Sequence, residues 1–163
     1  MSLLVRHAMS ESPETLSPSM NAMDAAALMK KVDSGVIPIT DGDVLVGLVT
    51  DRDLVLRVLA ERKNPAEVRL ADILTRSPVT VSPDTKLSAA RDMMAEHRIR
   101  RLPVTKAGRL VGILSLGDVA LADASPRAVG ETLEQVSESD STSKVDDRPP
   151  RGTPGRVREA RGN

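Results

Sequence analysis

Twice in this chain of 163 residues a glycine, a hydroxyl residue and an aspartate follow one another at intervals of three positions. The two segments are Gly47-Leu48-Val49-Thr50-Asp51-Arg52-Asp53 and Gly112-Ile113-Leu114-Ser115-Leu116-Gly117-Asp118. At this spacing a hydroxyl and a carboxylate form a capping box, satisfying the first amides of a helix. The same groups suit a phosphorylated nucleoside. A helix start offers N–H groups and partial positive charge to phosphate, an outward carboxylate accepts both ribose hydroxyls, and glycine permits close backbone approach. Both readings stay open because they use one geometry, and the duplication of the whole arrangement favours the second.

Covalent chemistry finds no comparable set. The run Gly112 to Gly117 is one residue too long for a nucleophile elbow, and G-x-G-x-x-G, P-loop and H-E-x-x-H motifs are absent. Asp51 and Asp53 are paired only in sequence, where a helix N-terminus explains them. No catalytic residue is expected, since no general base has an orienting partner. His7 and His97 lack cysteine or a suitably spaced carboxylate motif, so no metal site is expected either.

The elements that position the two motifs are themselves repeated. Shifted by 65 residues, the chain falls on itself without a gap: Pro38 on Pro103, Gly47 on Gly112, Asp53 on Asp118. Two copies predict a closed pseudo-twofold domain, because solenoids need at least three stacked units. Ser17-Pro18 and Ser82-Pro83 read as helix caps with proline at the first helical position. Apolar stripes follow in one register, Ala22, Ala25, Met29 and Val32 in the first copy and Leu87, Ala90, Met94 and His97 in the second, the first ending near Gly35. Next come short β-branched runs with proline inside, Val36 to Thr40 and Arg101 to Thr105, which predict edge strands. Turns at Asp41-Gly42 and Ala107-Gly108 return the chain along Val44 to Val49 and Arg109 to Leu114. A second helix starts at Thr50 or Ser115, with Leu54, Val55, Val58 and Leu59 as its apolar positions in the first copy.

The organisation expected is a first repeat over 1–60, a linker over 61–68 containing Asn64-Pro65, a second repeat over 69–125, and a tail over 126–163. In the tail an acidic block precedes an arginine block, with Pro, Gly and Ser interspersed, so it is expected to be disordered. The absence of cysteine points to a reducing, cytoplasmic location. No apolar run approaches the length of a membrane span. Zero formal charge and the absence of Phe, Tyr and Trp disfavour nucleic acid as a partner.

Ser77-Pro78-Val79-Thr80-Val81-Ser82-Pro83-Asp84-Thr85, Arg100-Arg101-Leu102-Pro103-Val104 and the motif ending at Asp118, with weaker first-copy equivalents, resemble a tandem pair of cystathionine-β-synthase (CBS) domains. The likeness covers residues 5 to about 122. It implies an α+β fold of two βαββα repeats packed about a pseudo-twofold axis, with two clefts that hold adenosine derivatives in many members. By the same resemblance Asp53 and Asp118 would bind ribose, and Thr50 and Ser115 would approach ribose or phosphate. Thr15, Leu16, Thr80 and Val81 would border the adenine. Arg100 and Arg101, ahead of Pro103, match positions that hold phosphate in several members, whereas the first copy has Gly35 and Val36 there. That first cleft would then bind weakly, take an uncharged adenosine compound or borrow charge from Arg52, and Arg52 reads equally as an exposed helix residue. Arg100 and Arg101 read also as charged edge residues that suppress aggregation.

The function expected is therefore a regulatory sensor, with no obligatory cofactor, binding AMP, ADP or ATP, forming a homodimer and acting through a protein effector. The alternative is an interaction module whose clefts are degenerate.

Overall fold

The computed structural model describes residues 2–123 and Glu134, so the tail expected over 126–163 lies, Glu134 apart, outside the described residues. Each copy contributes one long helix, α1 (Ala22–Val32) and α4 (Leu87–His97). Both begin later than the Ser-Pro pairs predict. Asn21 caps α1, accepting the Asp24 N–H at 2.9 Å, while the Asp24 carboxylate accepts the Asn21 N–H at 3.1 Å. Ser17 and Ser82 open β-turns instead: Met20 N–H donates to the Ser17 carbonyl and Thr85 N–H to the Ser82 carbonyl, both at 3.1 Å. Proline suits the second position of such a turn, and serine hydroxyls serve turns by the same bonds with which they cap helices.

Ala22, Ala25, Leu28 and Met29 of α1 are buried, as are Leu87, Ala90 and Met94 of α4, but Val32 and His97 at the ends of the expected stripes are exposed. Both helices end on a left-handed residue, Asp33 (φ 52°) or Arg98 (φ 54°), so Gly35 is not the terminator. It leaves room instead, because a Cβ there would come within 2.7 Å of the Asp51 carboxylate.

The hairpins are β2 (Val36–Asp41) with β3 (Val44–Thr50), and β5 (Arg101–Lys106) with β6 (Arg109–Ser115). Their registers match, with Val36 opposite Thr50 and Arg101 opposite Ser115. On the outer side of β2, Leu16 N–H donates to the Pro38 carbonyl at 3.2 Å and Thr40 N–H to the Leu16 carbonyl at 2.9 Å; Val81 does the same beside Pro103. The proline nitrogen thus points away from its hairpin partner, and no ladder bond is lost. The first loop is Gly42–Asp43, one residue later than the Asp41-Gly42 signal. In the second, Ala107 (φ 52°) and Gly108 (φ 76°) are both left-handed, the pattern of a type I′ turn.

What the repeat does not show is an exchange of strands. Residues leading into each copy pack on the other one. The first copy supplies a 3₁₀ turn (Val5–His7) and β1 (Ser10–Glu11), which pairs with β6; the second supplies α3 (Leu70–Ile73) and β4 (Thr75–Arg76), which pairs with β3. Val5 N–H donates to Thr85 O at 2.9 Å, and Leu70 N–H to Met20 O at 2.8 Å. Two cores result: Val5 is buried with Val81, Leu87, Met94, Leu102 and Leu114, and Leu70, Ile73 and Leu74 with Ala25, Ile37, Ile39 and Val49. The motif glycines make the crossings possible. A Cβ on Gly112 would lie 2.8 Å from Ser10 O, and one on Gly47 only 2.5 Å from Thr75 O. The close approach that glycine permits is used by a strand of the opposite copy.

The 61–68 segment also docks, since Pro65 and Val68 carbonyls accept the Met23 and Ala22 amides at 3.2 and 2.9 Å. These are first-turn amides of α1, which have no acceptor within their own helix. Between the hairpin tips the sheet continues through one pair, Val44 opposite Arg109. Among the described residues no helix is long and apolar enough to cross a membrane.

Candidate functional site

The second helices, α2 (Asp51–Leu54) and α5 (Leu116–Ala122), both start in the capping boxes that the sequence spells. Thr50 N–H donates to Asp53 Oδ2 at 2.9 Å and Asp53 N–H to Thr50 Oγ1 at 3.1 Å. The second copy repeats this between Ser115 and Asp118 at 2.8 and 3.0 Å. Neighbouring amides are used as well: Asp51 N–H by Gly35 O at 2.9 Å, Arg52 N–H by Asp51 Oδ1 at 2.8 Å, and Leu116 N–H by Arg100 O at 2.8 Å. The amides expected to await a phosphate are therefore largely taken, and anion recognition falls to side chains. A carboxylate has about four acceptor sites, so the capping bond leaves Asp118 with capacity for a ligand.

Asp118 and Ser115 face a cleft of about 350 Å³ between the copies. Ile113 of β6 and Arg101 of β5 complete the second copy's side, and the β5–β6 register sets Arg101 directly opposite Ser115. The first copy supplies Val36, Ile37 and Pro38 from β2, with Val32 and Ser34 just before it. Its lead-in segment adds Ser10, Pro13 and Glu14, brought there by the pairing of β1 with β6. The volume lies at the lower end of the range for small-molecule sites.

Of the residues singled out in the sequence, Val36, Arg101, Ser115 and Asp118 share this cleft. Thr50 and Asp53 are their counterparts in the other copy. Pro103 is the buried counterpart of Pro38. Leu16 and Val81 bridge to Ile39 and Val104, with exposed Thr15 and half-buried Thr80 just before them. Arg100 is exposed, and its carbonyl serves Leu116. Arg52 lies apart from the cleft, beside Asp51, Val55 and Leu56 on an exposed helix surface. Sequence reasoning missed Ser10, Pro13, Glu14 and Ser34. The available signal was the recurrence of Ser12-Pro13 as Ser77-Pro78, whose serines both take φ 49° and bend the chain away from the exchanged strand.

The cleft lining includes no histidine or lysine beside its serines. His7 Nδ1 accepts the Leu4 N–H at 3.0 Å, and His97 is exposed. Among the described residues no three metal-ligating side chains gather.

Comparison with known proteins places the chain. A 42% identical relative over 123 residues, spanning 74% of this chain and 82% of its own length, is the uncharacterized protein YlbB of Bacillus subtilis (strain 168). The solved structure of CBSX2 in complex with AMP aligns with a TM-score of 0.64 and 32% identity, over 73% of this chain and 94% of that one. The CBS domain pair of protein MJ0100, in complex with 5′-methylthioadenosine and S-adenosyl-L-methionine, aligns with a TM-score of 0.66 and 27% identity, over 75% and 96%. The profile of the CBS domain matches twice, at residues 5–60 and 70–125, and the chain belongs to that family as a tandem pair.

Proposed function

We propose that the chain is a regulatory sensor that binds an adenosine-containing ligand in the cleft between its copies. One observation carries the reading: Asp118, Ser115 and Arg101 of one copy border the same space as the Val36–Pro38 strand of the other. In that space the Asp118 carboxylate accepts the ribose hydroxyls, the apolar strand lies along the base, and Arg101 pairs with a phosphate. The ligands held by two structural relatives, AMP in one and 5′-methylthioadenosine with S-adenosyl-L-methionine in the other, support an adenosine compound. A ligand touching both copies ties their relative placement to its concentration, which is what a sensor requires. On this reading the cleft is a binding site and no chemical step is assigned to its serines.

A thermal-melt series with adenosine, AMP, ADP and ATP tests this, because any ligand of the native state raises the melting temperature. No shift with any of the four at millimolar concentration would reject it.

A second reading has its own observation. Val55, Leu56 and Leu59 are 52, 47 and 62% exposed on the π-helical stretch (Val55–Leu59) that continues α2, and Leu121 of α5 is 91% exposed, so that all four belong to the second helices in this extended sense. Contiguous exposed apolar surface marks an interface. On this reading the chain is a homodimerisation or effector-docking module, with or without an occupied cleft.

A further inference from the structure

Resting on the adenosine reading above, we infer that the cleft selects among such compounds by charge. It takes a neutral nucleoside derivative or a monophosphate and discriminates against di- and triphosphates. The lining decides this. It has one guanidinium, Arg101, and two carboxylates, Glu14 and Asp118, among serines, prolines and aliphatic residues. One arginine makes a paired set of bonds with one phosphate. A second or third phosphate brings charge but meets no further cationic group in the lining, and of the first amides of α5 those of Leu116 and Asp118 are held by Arg100 and Ser115.

Glu14 sets the balance. Lys31 pairs with it at 3.6 Å from outside the lining, yet the two side chains are 54 and 71% exposed, so water screens the pair and much of the negative field of Glu14 remains. The repeat does not impose these charges: the counterpart of Glu14 is Val79 and that of Arg101 is Val36. Acid and base are thus particular to this cleft. Coulomb energies at the dielectric of a water-exposed pair, several ångströms apart, amount to about a three-fold change in affinity per added charge, and so about ten-fold for the two that ATP adds to AMP.

The experiment is calorimetric titration of the full chain and Glu14→Gln with 5′-methylthioadenosine, AMP and magnesium-free ATP at one ionic strength. The wild type should bind ATP about ten-fold more weakly than AMP, with 5′-methylthioadenosine and AMP within a few-fold of each other. Glu14→Gln should strengthen ATP several-fold and leave 5′-methylthioadenosine nearly unchanged. ATP binding as tightly as AMP to the wild type, or an ATP-to-AMP ratio unmoved by Glu14→Gln, overturns charge selection while leaving the adenosine site standing. Binding of none of the three overturns the site and the selection together.

Discussion

Arg57 reaches back one helical turn to Asp53, its Nε 3.7 Å from Asp53 Oδ1, whereas at the corresponding place one turn beyond Asp118 the chain has Ala122. The same arginine donates to the Ile73 carbonyl at 2.8 Å, so it is anchored in the exchanged segment. Asp53 is thereby held by a cap and an ion pair and is only 9% exposed, while Asp118 borders the cleft. Two aspartates equivalent in sequence carry different duties.

From this follows a separation of affinity from stability. Asp118→Asn keeps an acceptor for the Ser115 amide but loses the charge proposed above to bind ribose. Adenosine affinity should fall by about 1.5–3 kcal/mol with little change in melting temperature. Asp53→Asn should lower the melting temperature, costing about 1 kcal/mol, and affect affinity far less. Calorimetry and thermal melts on both variants check the contrast, and equal affinity losses would contradict it.

Arg101→Ala addresses the anion. It should weaken AMP by about 1.5–3 kcal/mol and adenosine much less, and added salt should reproduce part of that loss. An equal loss for both ligands would mean that the arginine shapes the cleft without reading phosphate.

Glycine substitutions probe the strand exchange. A Cβ would meet a backbone oxygen at 2.5 Å at position 47 and at 2.8 Å at position 112, so Gly47→Ala and Gly112→Ala must push β4 or β1 outward. Each should cost about 2–4 kcal/mol in urea melts, as overpacking does at its upper range. Gly117→Ala is the control: its nearest neighbour would be 3.6 Å away, inside α5, so it should stabilise by up to about 1 kcal/mol.

Ala107 holds φ 52° in the β5–β6 loop without the freedom of glycine. Ala107→Gly should raise stability by about 1 kcal/mol, since a left-handed alanine carries a steric cost of that order. An unchanged or lower urea midpoint would refute this.

If the exposed leucines of the second helices form a homodimer interface, light scattering will give about twice the 17.4 kDa chain mass at micromolar concentration. Leu121→Glu should then return the monomer. A wild-type monomer would reject the interface.

Much of this architecture was legible in the residues because each signal was local. Capping boxes lie within four residues, hairpin loops within two, and the shift of 65 exposes the duplication directly. Ser17 and Ser82 misled because a turn and a helix cap use the same hydroxyl chemistry. The exchange of β1 and β4 was illegible for a different reason. A two-residue strand has no periodicity to read, and Ser10 finds its partner at Ile113, a pairing decided by where two distant glycines leave space. The site suffered the same loss, since eight of its twelve lining residues come from the copy opposite Asp118.

The exchanged segments also impose an order on synthesis. The first core needs Leu70, Ile73 and Leu74, so it cannot close when residue 60 leaves the ribosome. Val5 must wait for Val119 to be made before its own core exists. At roughly 5–20 residues per second the leading segment spends several seconds without its partners. A chain of two independent domains can fold the first while the second is being made, and the crossed lead-in segments deny this one that head start.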